Sequence, residues 1–211
     1  MNESGVDIAR AIARWDSSPF AAACEGWAPW DVVARLPELV RGALHDLPRD
    51  GYRIAEGEIA IHRDARVEPG AALQGPAVIG PHAFVAASAC VRGGAWLDAH
   101  VSIGRGCELK ASLVFEGSAL AHFNYVGDSI VGAGVNLEAG SIVCNHRNEG
   151  PGATVRVRVG RRRIDTGRAK FGAVVGDGCR IGANAVLAPG TLLAPGTVVA
   201  RLALVDQDPH R

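Results

Sequence analysis

Residues 61–115 read IHRDARVEPGAALQGPAVIGPHAFVAASACVRGGAWLDAHVSIGRGCELKASLVF. Stepping by six from Ile61 lands on Val67, Leu73, Ile79, Val85, Val91, Leu97, Ile103, Leu109 and Phe115, each large and apolar. Four places on in the same hexads stand Ala65, Ala71, Ala77, Ala83, Ala89 and Ala95, then Val101 and Cys107. Glycine often follows the aliphatic residue, as at Gly80 and Gly104. An amphipathic helix repeats its apolar face every ~3.6 residues and cannot keep a strict period of six. Short strands joined by bends can keep it. Each aliphatic side chain then points into a stacked core, and the small residue allows the bend. The register slips once, resumes at Val131, Leu137 and Val143, and after a long interruption resumes at Val175, Ile181, Leu187, Leu193 and Val199. The expected fold class is all-β: a parallel β-helix of hexapeptide repeats over residues 58–205, preceded by a short helical segment.

This pattern resembles the hexapeptide-repeat, left-handed β-helix family. Three hexads make one triangular coil in that family, so 18 residues advance one strand spacing, roughly 4.8 Å. The left hand comes from the resemblance alone, because crossovers generally favour the right hand.

Residues 1–57 are expected to form a helical N-terminal cap. Asp7–Arg14 and Asp31–Asp46 carry helical patterns, and Pro37 suits the first turn of a second short helix. Trp15, Phe20, Trp27 and Trp30 are expected to pack this cap against the end of the β-helix. The interruption at 146–170 reads as a protruding basic loop. Thr154–Val159 alternates valine and arginine, and Gly160–Arg161 can turn the chain back as a hairpin. Eight basic residues there face only Glu149 and Asp165. Such a loop is either a solvated arm or one that meets ligand phosphates.

Of the 211 residues, 22 are Lys or Arg and 22 Asp or Glu, so no net charge recruits nucleic acid or an anionic membrane. The 27 glycines suit repeated tight turns. Five scattered cysteines without a CxxC pair read as reduced thiols in a cytoplasmic protein. No run of about 18 apolar residues exists to span a bilayer, and the first residues lack the apolar stretch of a secretory signal.

Candidate chemistry clusters around the register slip. Arg92 and Lys110 share one hexad slot and lie 18 residues apart, so they stack one coil above the other. An anion between them would relieve their repulsion; the plainer reading is an ordinary surface pair. His122 falls where the register breaks, and a broken register re-aims side chains. Histidine suits general base work, though many histidines are purely structural. Asn136 and Asn145 bracket the next coil, where asparagine also forms stabilising ladders.

The stretch from Arg92 to Asn145, with Lys170–Phe171–Gly172, resembles the acetyltransferase half of the bifunctional glucosamine-1-phosphate acetyltransferase/N-acetylglucosamine-1-phosphate uridylyltransferases. AHFNYVGDS (121–129) is similar to that family's histidine segment running through Tyr-x-Gly-Asp. VNLEAGSIVCNHRN (135–148) is similar to its Asn-x-Gly-Ala-Gly-x-x-x-x-Asn segment. RIDTGRAKFGAVVGD (163–177), after a basic hairpin, is more similar to the archaeal branch.

The resemblance implies an acetyl-CoA-dependent N-acetyltransferase acting on an amino sugar 1-phosphate, with no metal required. It gives His122 the role of general base and sets Asn145 near the acetyl group. Arg92, Lys110 and Lys170 would hold the phosphate, with Tyr125 and Asn136 on the sugar. His146, Ala183 and Arg201 would line the acetyl-CoA site, although His146 stands where bacterial members usually have tyrosine, and Ala183 where they have serine. The family's site lies between neighbouring β-helices, which implies a homotrimer. Sixty residues before the repeat cannot hold a nucleotide-binding domain and show no Gly-rich phosphate motif, so a separate nucleotidylyltransferase partner is the corresponding expectation.

Three other readings compete. One is a non-catalytic module that binds sugar nucleotide; another is an acyltransferase with a different sugar substrate. The third is a trimeric metalloenzyme of the γ-carbonic anhydrase type, which needs three histidines, two of them five apart. His62, His82, His100, His122 and His146 offer no such pair, although His82 and His100 can stack one coil apart.

Overall fold

A computed structural model describes residues 5–48, 50–150 and 152–209. Residues 1–4 and Arg49 of the expected cap and Pro151 of the expected loop lie outside the described residues. The chain enters the β-helix through Tyr52–Ala55, which pairs antiparallel with Ile59–His62. From there it winds in parallel around three faces. The first face carries Ile59–His62, Ala77–Ile79, the second halves of Cys90–Leu97 and Glu108–Val114, then Ile130–Val131, Ala173–Val175 and Thr191–Leu193. The second is a seven-stranded sheet from Arg66–Val67 to Val198–Val199. The third runs through Ala72–Leu73, the first halves of Cys90–Leu97 and Glu108–Val114, Tyr125–Gly127, Ile142–Val143, Val186–Leu187 and Leu204–Val205.

The aliphatic residues of the hexads fill one continuous core. The register slip is more specific than the count of six implied. Val91 pairs with Leu109 at the full coil length, but Leu97 pairs with Val114, Leu109 with Val126 and Val114 with Val131, one residue shorter each time. Val114 therefore takes the core slot expected for Phe115, and Phe115 joins a second apolar cluster outside the prism.

That second cluster corrects the expected place of the cap. The outward residues of the first face are apolar as well: Ala60, Val78, Trp96, Leu113, Ile130, Val174 and Leu192. The N-terminal segment covers this side of the prism rather than its end. Phe20 meets Trp96 edge-on at 5.1 Å, Trp30 meets Phe171 at 5.8 Å, and Trp15 meets Phe115 at 6.5 Å. Trp27 is only half-buried and carries the Arg35 guanidinium over its ring at 4.7 Å. Helices Pro29–Ala34 and Leu36–His45 divide at Arg35, and Pro37 lies in the first turn of the second. The first expected helix is reduced to Ile8–Ala11, followed by the 3-10 turn Trp15–Ser17. Gly94 lets the cap approach: with φ +87°, a Cβ there would lie 2.8 Å from the Pro37 nitrogen.

The basic hairpin forms as expected, with Arg156–Val159 paired to Arg162–Asp165 across Gly160–Arg161. It does not protrude along its length. Val155 and Val157 are buried in the outer cluster, so the hairpin continues the cover of the first face. Four of the eight basic residues at 146–170 form ion pairs among the described residues: Arg147 to Asp206 (2.8 Å), Arg156 and Arg163 to Asp208 (3.0 and 2.5 Å), and Arg168 to Asp31 (2.7 Å). These four tie the loop to the rest of the fold. No helix among the described residues is long and apolar enough to cross a membrane.

Candidate active site

Arg92 and Lys110 are direct neighbours on adjacent strands of the third face, at the edge where the chain turns to the first. The stacked cations are real, but each already has an acid. Arg92 Nε donates to Glu108 Oε1 at 2.8 Å, and Lys110 Nζ donates to Asp128 Oδ1 and Oδ2 at 3.0 and 2.7 Å. Neither carboxylate was singled out from the sequence, although Asp128 closes the Tyr-x-Gly-Asp motif. No bound anion is needed to explain the stack.

Asp128 organises this edge. Its carboxylate, largely buried beside Lys110, also accepts from Asn145 Nδ2. Asn145 also stands beside the Tyr125 hydroxyl over Gly127. Gly127 makes room, since a Cβ there would fall 2.5 Å from that hydroxyl and 2.7 Å from Asn145 Nδ2. Burial pushes the Tyr125 phenol up, with Asp128 and Glu108 adding to the shift and Arg92 and Asn145 opposing it. The returning hairpin closes the edge, because Phe171 N donates to the Asn145 carbonyl at 2.9 Å and Gly172 N to the Asp128 carbonyl at 2.8 Å. Lys170 is thereby held one residue from the cluster, exposed and without an ion pair among the described residues.

His122 lies at the opposite edge of the same face. It sits exposed in the turn from Ala119–Leu120 to Tyr125–Gly127. Tyr125, pointing outward from the strand between, separates it from Lys110 and Asn145. Successive rungs of this edge put Ala139, Ala183 and Arg201 in line with His122. Gly140, Asn184 and Leu202 donate to the carbonyls of His122, Ala139 and Ala183 at 2.9, 3.0 and 2.9 Å. The two alanines put only small side chains between an imidazole and a guanidinium along this edge.

Two expected groupings are not met within one chain. Asn136 is exposed on the second face, between Ala119 and Arg180, and does not share a surface with Tyr125. His146 follows Asn145 on the cation-bearing edge, away from Ala183 and Arg201. All five cysteines are free, and burial raises the Cys144 thiol. His82 and His100 stack at 4.8 Å as expected, and no group of three potential metal ligands occurs among the described residues.

No known protein-family profile matches the chain. The bifunctional sugar-1-phosphate nucleotidylyltransferase/acetyltransferase of Sulfurisphaera tokodaii is 32% identical over 184 residues, which cover 85% of this chain and 45% of that protein. The bifunctional protein GlmU of Methanococcus vannielii is 26% identical over 188 residues, covering 85% and 43%. That of Marinobacter nauticus is 32% identical over 142 residues, covering 65% and 27%. The chain spans less than half the length of these curated relatives. A solved hexapeptide transferase family protein from Anaplasma phagocytophilum aligns at 17% identity and TM-score 0.34, covering 69% of this chain and 72% of that one.

Fold and repeat define a hexapeptide-repeat β-helix protein. More narrowly, the chain resembles the acetyltransferase half of the bifunctional sugar-1-phosphate nucleotidylyltransferase/acetyltransferases.

Proposed function

We propose that this chain transfers an acetyl group from acetyl-CoA to the amine of an amino sugar 1-phosphate, with His122 as general base. One observation carries the reading: a single face has a cation cluster built on Asp128 at one edge and an exposed histidine at the other, with Tyr125 between. The relatives named for nucleotidylyl and acetyl transfer support the same class.

The sugar lies along the third face in this reading. Its phosphate meets Lys170 and the outer N–H groups of Arg92 and Lys110. Three cations against the two carboxylates Glu108 and Asp128 leave one positive charge for it, and charge-assisted bonds to phosphate are the stronger kind. The amine faces His122. It arrives protonated, and only its neutral form attacks. The ammonium first gives its extra proton to solvent; neutral imidazole then takes a second N–H proton as the nitrogen bonds the thioester carbon, and hands it to the sulfur as the C–S bond breaks, so CoA leaves as the thiol. No covalent enzyme intermediate forms. Backbone N–H groups steady the oxyanion, Asn145 holds Asp128 and with it the cation edge, and much of the rate comes from holding both substrates together. The donor occupies the edge from His122 past Ala139 and Ala183 to Arg201, which serves as its groove.

A neighbouring chain completes the site by laying its second face, with Asn136, against the third face of the first. The first face is already covered by the cap and hairpin, so the other two are the ones left for assembly, in a homotrimer. The unpaired cysteines fit a reducing, cytoplasmic location.

The test is release of free thiol from acetyl-CoA across a panel of amino sugar 1-phosphates. One sugar phosphate should drive it, and His122→Ala should lower turnover about 100-fold or more. Unchanged turnover in a folded His122→Ala protein removes His122 from the role. Silence across the whole panel would count against acetyl transfer to amino sugar phosphates.

A further inference from the structure

One side chain crosses the groove between His122 and Arg201. Glu138 follows the strand Asn136–Leu137 and reaches over the Ala183 rung. Its Oε2 accepts from Ala183 N at 2.8 Å and from Arg201 Nε at 2.7 Å, and its Oε1 accepts from Arg201 Nη2 at 2.7 Å. The Arg201 bond first, and the Ala183 bond second, hold this carboxyl below its usual range. Glu138, Arg180, Gly182, Ala200 and Arg201 line a cavity of about 230 Å³ beside the groove. In the segment this stretch resembles, Asn-x-Gly-Ala-Gly, the position of Glu138 is a glycine.

The inference rests on the reading that this groove takes the acyl donor. An acyl-CoA is a polyanion with an amide-bearing arm, so it is held by backbone N–H groups and cations. Glu138 occupies one of each. We propose that Glu138 is a latch on the donor groove and sets the affinity for acyl-CoA. The donor enters by breaking the Glu138–Arg201 pair, after which Arg201 turns to the donor's phosphates. The pair is built to be broken. Arg201 is 72% exposed and Glu138 34% exposed, so solvent screens the pair and rehydrates both groups when it opens. Once displaced, the carboxylate still lies beside the incoming phosphates and repels them. Glu138 is thus a specificity-determining residue rather than a catalytic one.

The experiment is calorimetric titration of acetyl-CoA, without sugar, into the wild-type protein, Glu138→Ala and Glu138→Gln, with melting curves to verify folding. Both variants should bind about five-fold more tightly, the value of one exposed ion pair. Adding Arg201→Ala to Glu138→Ala should abolish that gain. Wild-type binding that is unchanged or weakened in a folded Glu138 variant overturns the latch while leaving the donor reading standing. Absence of binding by wild type and variants alike overturns the donor reading, and the latch with it.

Discussion

Lys170 and Asp128 divide the work at the edge proposed to hold the phosphate. Arg92 and Lys110 are held by carboxylates, so their charge is largely spent on position. Lys170 has no such partner among the described residues, so Lys170→Ala should raise KM for the sugar phosphate about ten-fold with little change in kcat, as expected for one lost charge-assisted bond. Steady-state kinetics decides it, and a fall in kcat at unchanged KM would contradict it. Cys24 gives a separate prediction. Burial pushes its thiol up to about 11, with Arg35 opposing. A raised folded-state value means its contribution is complete below the unfolded thiol's pKa and is lost as pH climbs toward about 11. Stability should therefore fall between about pH 9 and 11, and Cys24→Ala should flatten that decline in denaturant melts. The column of Arg92 and Lys110 was legible because one strict 18-residue step joins them. Asp128 stands a further 18 residues on, so the same step reaches it; it was passed over because it is an acid at the end of a motif read for its histidine and tyrosine, and it meets Lys110 from a left-handed backbone, φ +48°.

The outer cover of the first face is the element that sequence pattern described least well. Counting by six followed the inward residues and passed over the outward ones beside them. Yet Ala60, Val78 and Trp96 are spaced by a full coil and are all apolar, which marks a face buried on both sides. The aromatic residues of residues 15–30 were correctly read as packing groups and assigned to the wrong surface for that reason. The hairpin turn at Gly160–Arg161 was readable from local residues, whereas its docking depends on Asp206 and Asp208, some fifty residues on. Phe20 is the fully buried link between cap and face. Phe20→Ala should cost about 3–5 kcal/mol in chemical denaturation. A loss below about 1 kcal/mol would mean the cap is only loosely held.

Across the whole molecule, the proposed groups fall on two faces. His122, Tyr125 and Asn145 belong to the third, and Asn136 to the second, so on the proposed reading one chain alone holds an incomplete site. Repeat and motif made the prism and the cation edge readable, but a linear pattern does not say which face a neighbour covers. The hand of the coil likewise rested on resemblance. Mixing subunits tests this arrangement most directly. His122→Ala and Asn136→Ala proteins, each impaired, would be unfolded together, refolded at equal ratio and assayed for thiol release from acetyl-CoA with the active sugar phosphate. If each site joins the third face of one chain to the second face of another, about a quarter of the sites in the mixture should hold both native residues and regain the wild-type rate. A mixture no faster than the average of the two variants alone would contradict a site shared between chains.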